Sequence, residues 1–95
     1  MENKERLQKI VRATESIAME CDFLHMKREG SEHIIKTQLD TLGELLEGES
    51  YETPVKMLSI IMRRKSLESN TPLIQDVIEG VCYHARQQLE IENYD

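Results

Sequence analysis

The stretch YETPVKMLSIIMRRKSLESNTPLIQDVIEGV, residues 51–81, contains Thr-Pro twice, at Thr53-Pro54 and Thr71-Pro72, and an apolar run follows each pair. A residue before proline is pushed into extended backbone, which is the conformation an N-cap residue adopts. Proline in the first helical position loses nothing, because its missing N–H has no intrahelical acceptor there. Each Thr-Pro therefore predicts a helix start, giving helices over 54–67 and 72–91 with the tripeptide ESN as the turn between them. The two segments are not a repeat, since their charges and apolar positions diverge within a few residues.

Upstream, Leu7, Ile10, Val11, Thr14, Ile17, Ala18, Cys21, Leu24 and His25 recur at spacings of three and four. They form one broad face of an amphipathic helix over 3–29. Gly30 supplies a left-handed stop and Ser31 a cap for the next helix. That helix, over 32–47, has Ile34, Ile35, Leu39, Leu42, Leu45 and Leu46 as its apolar face, Gly43 on its polar side and Gly48 at its end. No segment alternates with period two, so strands are not expected. Short connections favour antiparallel neighbours. The expected fold is all-α, a compact antiparallel bundle of about four helices forming a single domain over 1–95.

Composition limits the rest. The chain has 95 residues, 39% hydrophobic and 32% charged, with 4% aromatic residues and no tryptophan, so the core has to come from Leu, Ile, Val and Met. Folding a chain of this size hides roughly two-thirds of its surface, which leaves little spare stability. The formal net charge is −6, which repels phosphate backbones and anionic lipid. Cys21 and Cys82 belong to no CxxC motif and read as free thiols. No apolar run approaches the ~20 residues of a membrane span. The start, MENKERLQKIV, is charged throughout and unlike a signal peptide. A cytoplasmic protein is the expectation.

The candidate chemistry is thin. Arg63, Arg64 and Lys65 form a basic cluster at the end of the third predicted helix, where cations complement the helix dipole. That helix carries four cations and no acid, and a nucleic-acid-associated factor would use this cluster. A helix-turn-helix reading, however, places acids in PLIQDVIEG where phosphates should lie, so nucleic acid is not the expected partner. Cys21 and His25 are four apart on one helix, and with Cys82 they form a weak candidate metal set. His84 cannot join through Cys82, since residues two apart on a helix diverge by about 160°. Cysteine within an aliphatic face behaves as a small hydrophobe. There is no phosphate-cradling glycine loop, no nucleophile with a base and no di-iron Glu-x-x-His pattern. Neither enzymatic activity nor a cofactor is expected.

The informative feature is surplus apolar surface. Met19, Phe23 and Met26 recur at spacings of four and three on nearly the opposite side of the first helix from its main face. In the third helix Val55, Leu58, Ile61 and Met62 suffice for one core face, while Met57, Ile60 and Leu67 widen the arc to roughly two-thirds of the circumference. Such stripes are either covered within the monomer by the second and fourth helices, or they meet another chain. The second alternative fits a small acidic regulator, adaptor, inhibitor or chaperone-like subunit. It would act as a homodimer and bind a protein through a Met-rich surface. Met19, Phe23, Met26, Met57, Ile60 and Leu67 are the residues expected to carry that contact.

Overall fold

A computed structural model describes residues 2–26, 29–64 and 68–94. Four α-helices make the fold: α1 (Asn3–His25), α2 (Ser31–Leu45), α3 (Glu52–Arg64) and α4 (Thr71–Tyr94), with one 3₁₀ turn at Glu68–Asn70 before α4. Among the described residues there is no strand. The helices run alternately up and down in a compact body of 43 × 23 × 20 Å. Cross-links fix the directions. Asn3 donates to Glu92 at 2.7 Å and Arg86 to Glu15 at 2.6 Å, so α1 and α4 are antiparallel. Arg6 near the start of α1 donates to the carbonyl of Leu45 at the end of α2. Helix α1 packs along both α2 and α4, α2 packs on α3, and α3 meets α4 far less closely than any of these pairs.

Both prolines lie in first turns, as the Thr-Pro reading requires, but the boundaries move. Helix α3 opens two residues before Pro54, with the Val55 N–H donating to the Tyr51 carbonyl at 3.2 Å. Helix α4 opens at Thr71, one residue before Pro72. The first turn has no intrahelical acceptors for its N–H groups at any of these positions, so proline is tolerated throughout it. Both threonines lie inside their helices: Thr53 is an exposed first-turn residue and Thr71, the first residue of α4, is buried.

The expected cap at Ser31 is not formed. Ser31 is the first residue of α2, and its Oγ is buried without a hydrogen-bond partner. Gly30 occupies the cap position and opens the helix through its carbonyl, which accepts from the Ile34 N–H at 3.1 Å. Gly30 has φ +90° and Gly48 φ +84°, with nothing within 4 Å of an added Cβ at either. Space is free there, but left-handed backbone costs an L-residue about 1–2 kcal/mol. Gly30→Ala and Gly48→Ala are each expected to destabilise the fold by about 1 kcal/mol, measured by urea unfolding.

The core is aliphatic. Helix α1 contributes Leu7, Ile10, Ala13, Ile17 and Cys21, and α2 contributes Ile35, Leu39 and Leu42, with Leu46 just beyond its end. Helix α3 adds Val55, Leu58 and Met62, and α4 adds Ile74, Ile78, Val81 and Ala85. Three details depart from the periodicity. Ile34 is exposed. Glu20 is buried with its Oε2 unpartnered. Gly43 is buried against α3, where an added Cβ would meet Lys56 Cγ at 3.3 Å. Gly43 thus lets α2 and α3 approach closely and does not face solvent.

One end of the bundle closes over a cavity of about 180 Å³ between α1, α4 and the α2–α3 connection. Arg6 ties this end together. Besides Leu45, its guanidinium donates to Asn3 Oδ1 at 3.0 Å and Glu49 at 2.8 Å. The Tyr51 ring rests against His84 with centroids 5.8 Å apart. Its hydroxyl lies where a Gly80 side chain would come within 3.2 Å. These contacts set the height of α3 along α4.

Candidate functional site

Each pair of neighbouring helices leaves one outer face, and the seam contacts show which side chains lie on it. Lys9, Arg12 and Ala13 of α1 border a hollow with Gln38, Thr41 and Leu45 of α2. Asp40 and Gly43 of α2 meet Lys56, Ser59 and Arg63 of α3. Glu15, Ala18 and Asp22 of α1 meet Gln75, Glu79, Cys82 and Arg86 of α4. Tyr51 touches Gly80 and His84 across the α3–α4 side. The remaining positions follow from the 100° step between successive helical residues.

Met19 and Met26 are 52% and 74% exposed, and Met57 and Ile60 are 55% and 54% exposed. The monomer therefore does not cover either predicted stripe. Phe23 is half-buried. Met19 and Phe23 fall on the outer α1–α2 side, beyond Ser16 and one to two turns from the seam residue Arg12. Ile34, the exposed apolar residue of α2, falls on the same side, one turn from Gln38. The helical step thus places Met19, Phe23, Met26 and Ile34 at one end of the α1–α2 face. Sequence periodicity misplaced Ile34 because it lies at the margin of the α2 apolar arc, where only the direction of α1 decides burial.

Met57 lies elsewhere. On α3, Val55, Leu58 and Met62 point inward and Lys56, Ser59, Ile60 and Arg63 border the hollow with α2. Met57, Ile61 and Arg64 occupy the remaining flank, towards α4, and Ile60 stands on the outer ridge at the edge of the α2–α3 hollow. On α4, Gly80 and His84 mark the flank towards α3, and Leu73 and Val77 share it by helical step. Leu73 is exposed and Val77 half-buried. The two Met-containing stripes thus lie on opposite faces of the bundle, α1–α2 and α3–α4, and do not merge. Leu67 lies outside the described residues.

Arg63 and Arg64 are exposed at the end of α3, and Lys65 lies outside the described residues. Arg63 approaches Asp40 at 3.9 Å, and Asp40 also accepts from Ser59 Oγ at 2.5 Å. An exposed ion pair of this length contributes little. The acids Glu15, Asp22, Asp76 and Glu79 crowd the α4–α1 side, so among the described residues no basic stripe continues onto that side.

Cys21 and Cys82 are free thiols, buried and half-buried. Cys21 lies in the core, and burial, helped by the nearby Asp22 charge, pushes its thiol up to about 11. Cys82 lines the α1–α4 groove. The side chain of His25 lies outside the described residues. Among the described residues no three His, Cys, Asp or Glu side chains gather at one point, and no helix is long and apolar enough to cross a membrane.

No family model matches the chain, and searches of the curated proteins and of the solved structures find no significant match.

Proposed function

We propose that this chain is a small non-catalytic protein-interaction module, a regulator, adaptor, inhibitor or chaperone-like subunit. It acts from the cytoplasm through apolar surface and not through a reactive site. The reading is carried by one observation: three of the chain's five methionines, Met19, Met26 and Met57, are more than half exposed, with Ile34, Ile60 and Leu73 exposed as well. Methionine is flexible and polarisable, and suits surfaces that adapt to a bound side chain. Exposed apolar patches of this kind commonly mark contacts between chains. The α1–α2 patch of Met19, Phe23, Met26 and Ile34 is the surface for a foreign protein. The negative field of the chain favours a neutral or basic one.

Affinity capture from the native cell tests this, using the wild-type chain beside Met19→Asp and Met26→Asp. Both positions are exposed, so the variants are expected to keep wild-type helicity. The expected result is a protein retained by the wild type and reduced at least tenfold with either variant. Equal capture by all three forms, or none by any, contradicts the assignment.

A further inference from the structure

We infer that the α3–α4 face is the seat of a second copy of this chain, an inference that rests on reading the exposed apolar faces as interfaces. Charge picks out this face. A chain of net charge −6 repels itself, so two copies meet at least cost where no carboxylates come face to face. The α4–α1 side presents Glu15, Asp22, Asp76 and Glu79 against the single Arg86. The α2–α3 side is occupied by its own ion pairs, Lys36–Glu32, Lys56–Glu52 and Arg63–Asp40. The α1–α2 side carries Lys9 paired with Glu5, and Arg12. Along the length that α3 covers, the flanks of α3 and α4 hold Met57, Ile61, Leu73, Val77, Gly80 and His84. Among the described residues Arg64, a cation, is the charged residue the helical step puts on these flanks, and Asp76 stands at their outer edge, in the hollow beside Gly80.

The face is also self-complementary. A two-fold axis parallel to the helices lays α3 of one copy on α4 of the other, antiparallel, as α3 already lies on α2. Met57 then meets Leu73 and Val77 across the axis, twice over. Arg64 comes to the rim near the start of the second copy's α4, where the negative field of that copy favours a cation. The loose packing of α3 on α4 leaves Met57 and Leu73 exposed within one copy.

The size of the face sets the affinity class. The 13 residues of α3 span about 20 Å, and two helix widths make about 20 Å more. A face of that plan buries on the order of 1,000 Å² over both copies, the low end for specific interfaces. The dimer is therefore weak and reversible, dissociating in the micromolar range, and the monomer keeps its own core.

Sedimentation velocity of the full chain over about 1–500 µM tests this, with circular dichroism as the check on folding. Wild type is expected to pass from monomer to dimer over that range, and more readily as salt screens the net charge. Leu73→Asp and Met57→Asp are expected to weaken the dimer at least tenfold with helicity unchanged, and Arg64→Glu to weaken it less. Should an aspartate variant lose helicity, Leu73→Gln and Met57→Gln put a neutral polar group in the same contact, and they too are expected to weaken it. Met19→Asp, on the opposite face, is expected to leave it unchanged. A chain monomeric at every concentration overturns the inference, as does a dimer that survives Leu73→Asp and is lost with Met19→Asp. If the chain is monomeric while Met19 and Met26 still govern capture of a foreign protein, only the self-contact fails and the interaction reading stands.

Discussion

Leu39→Ala is expected to lower stability by about 3 kcal/mol, the usual range for truncating a buried leucine being about 2–5. Leu39 is fully buried at the middle of α2, the helix held between α1 and α3. Removing its isobutyl group leaves a hole that neither neighbour closes without moving its own buried face. A small domain has only about 5–10 kcal/mol in total, so this one change removes a third or more of it. At this chain length the melting temperature should fall by roughly 15 °C. Ile34→Ala, on the same helix, supplies the contrast. Ile34 is exposed, and its truncation is expected to cost under about 1 kcal/mol. Thermal and urea unfolding of the two variants side by side checks both the α2 burial pattern and the placement of Ile34 on the surface. Equal losses would mean that α2 is rotated from the orientation described.

The second large effect is alkaline. Burial, with the Asp22 charge beside it, pushes the Cys21 thiol up to about 11, so the fold holds this group neutral. In the unfolded chain the thiol ionises near its ordinary value. Between about pH 9 and pH 11 the unfolded state therefore binds fewer protons than the folded one, and stability falls as pH rises. The loss from this residue reaches about 2–3 kcal/mol by pH 11, and none of it is felt below pH 8. Cys21→Ala is expected to flatten this part of the pH–stability curve while lowering its plateau through the lost packing. Urea unfolding from pH 7 to pH 11 measures both. At pH 8 the same burial protects the thiol, so a thiol reagent should label Cys82 and spare Cys21 until the protein unfolds.

The helices were legible because their signals are local. Thr-Pro marked the starts of α3 and α4 to within two residues, since proline is tolerated anywhere in a first turn. Gly30 and Gly48 marked two chain reversals through their left-handed backbone, which needs no knowledge of the rest of the fold. What the sequence left open depended on how helices face one another. Ser31 looked like a cap, but its side chain turns to the interior. Gly43 looked solvent-facing, but α3 lies against it. Each of these errors sits on a flank, where a rotation of some 40° changes burial.

The surface followed the same rule. Sequence spacing identified Met19, Met26, Met57 and Ile60 as more apolar surface than one core face needs, and all four are exposed. It did not separate them into two faces, because that depends on the order of the helices around the bundle. Leu73 was missed for a related reason. It belongs to the flank of α4 that approaches α3 without being covered by it, and the α4 sequence taken alone gives no sign of that.

Photo-crosslinking from two positions in the native cell tests the central claim, that opposed apolar faces serve separate partners. The photoreactive phenylalanine analogue benzoylphenylalanine is placed either at Leu73 or at Phe23. From Leu73 the expected product is an adduct of twice the chain's mass containing only this protein. From Phe23 it is an adduct to a different protein. The same adduct from both positions, or none from either, would contradict that claim.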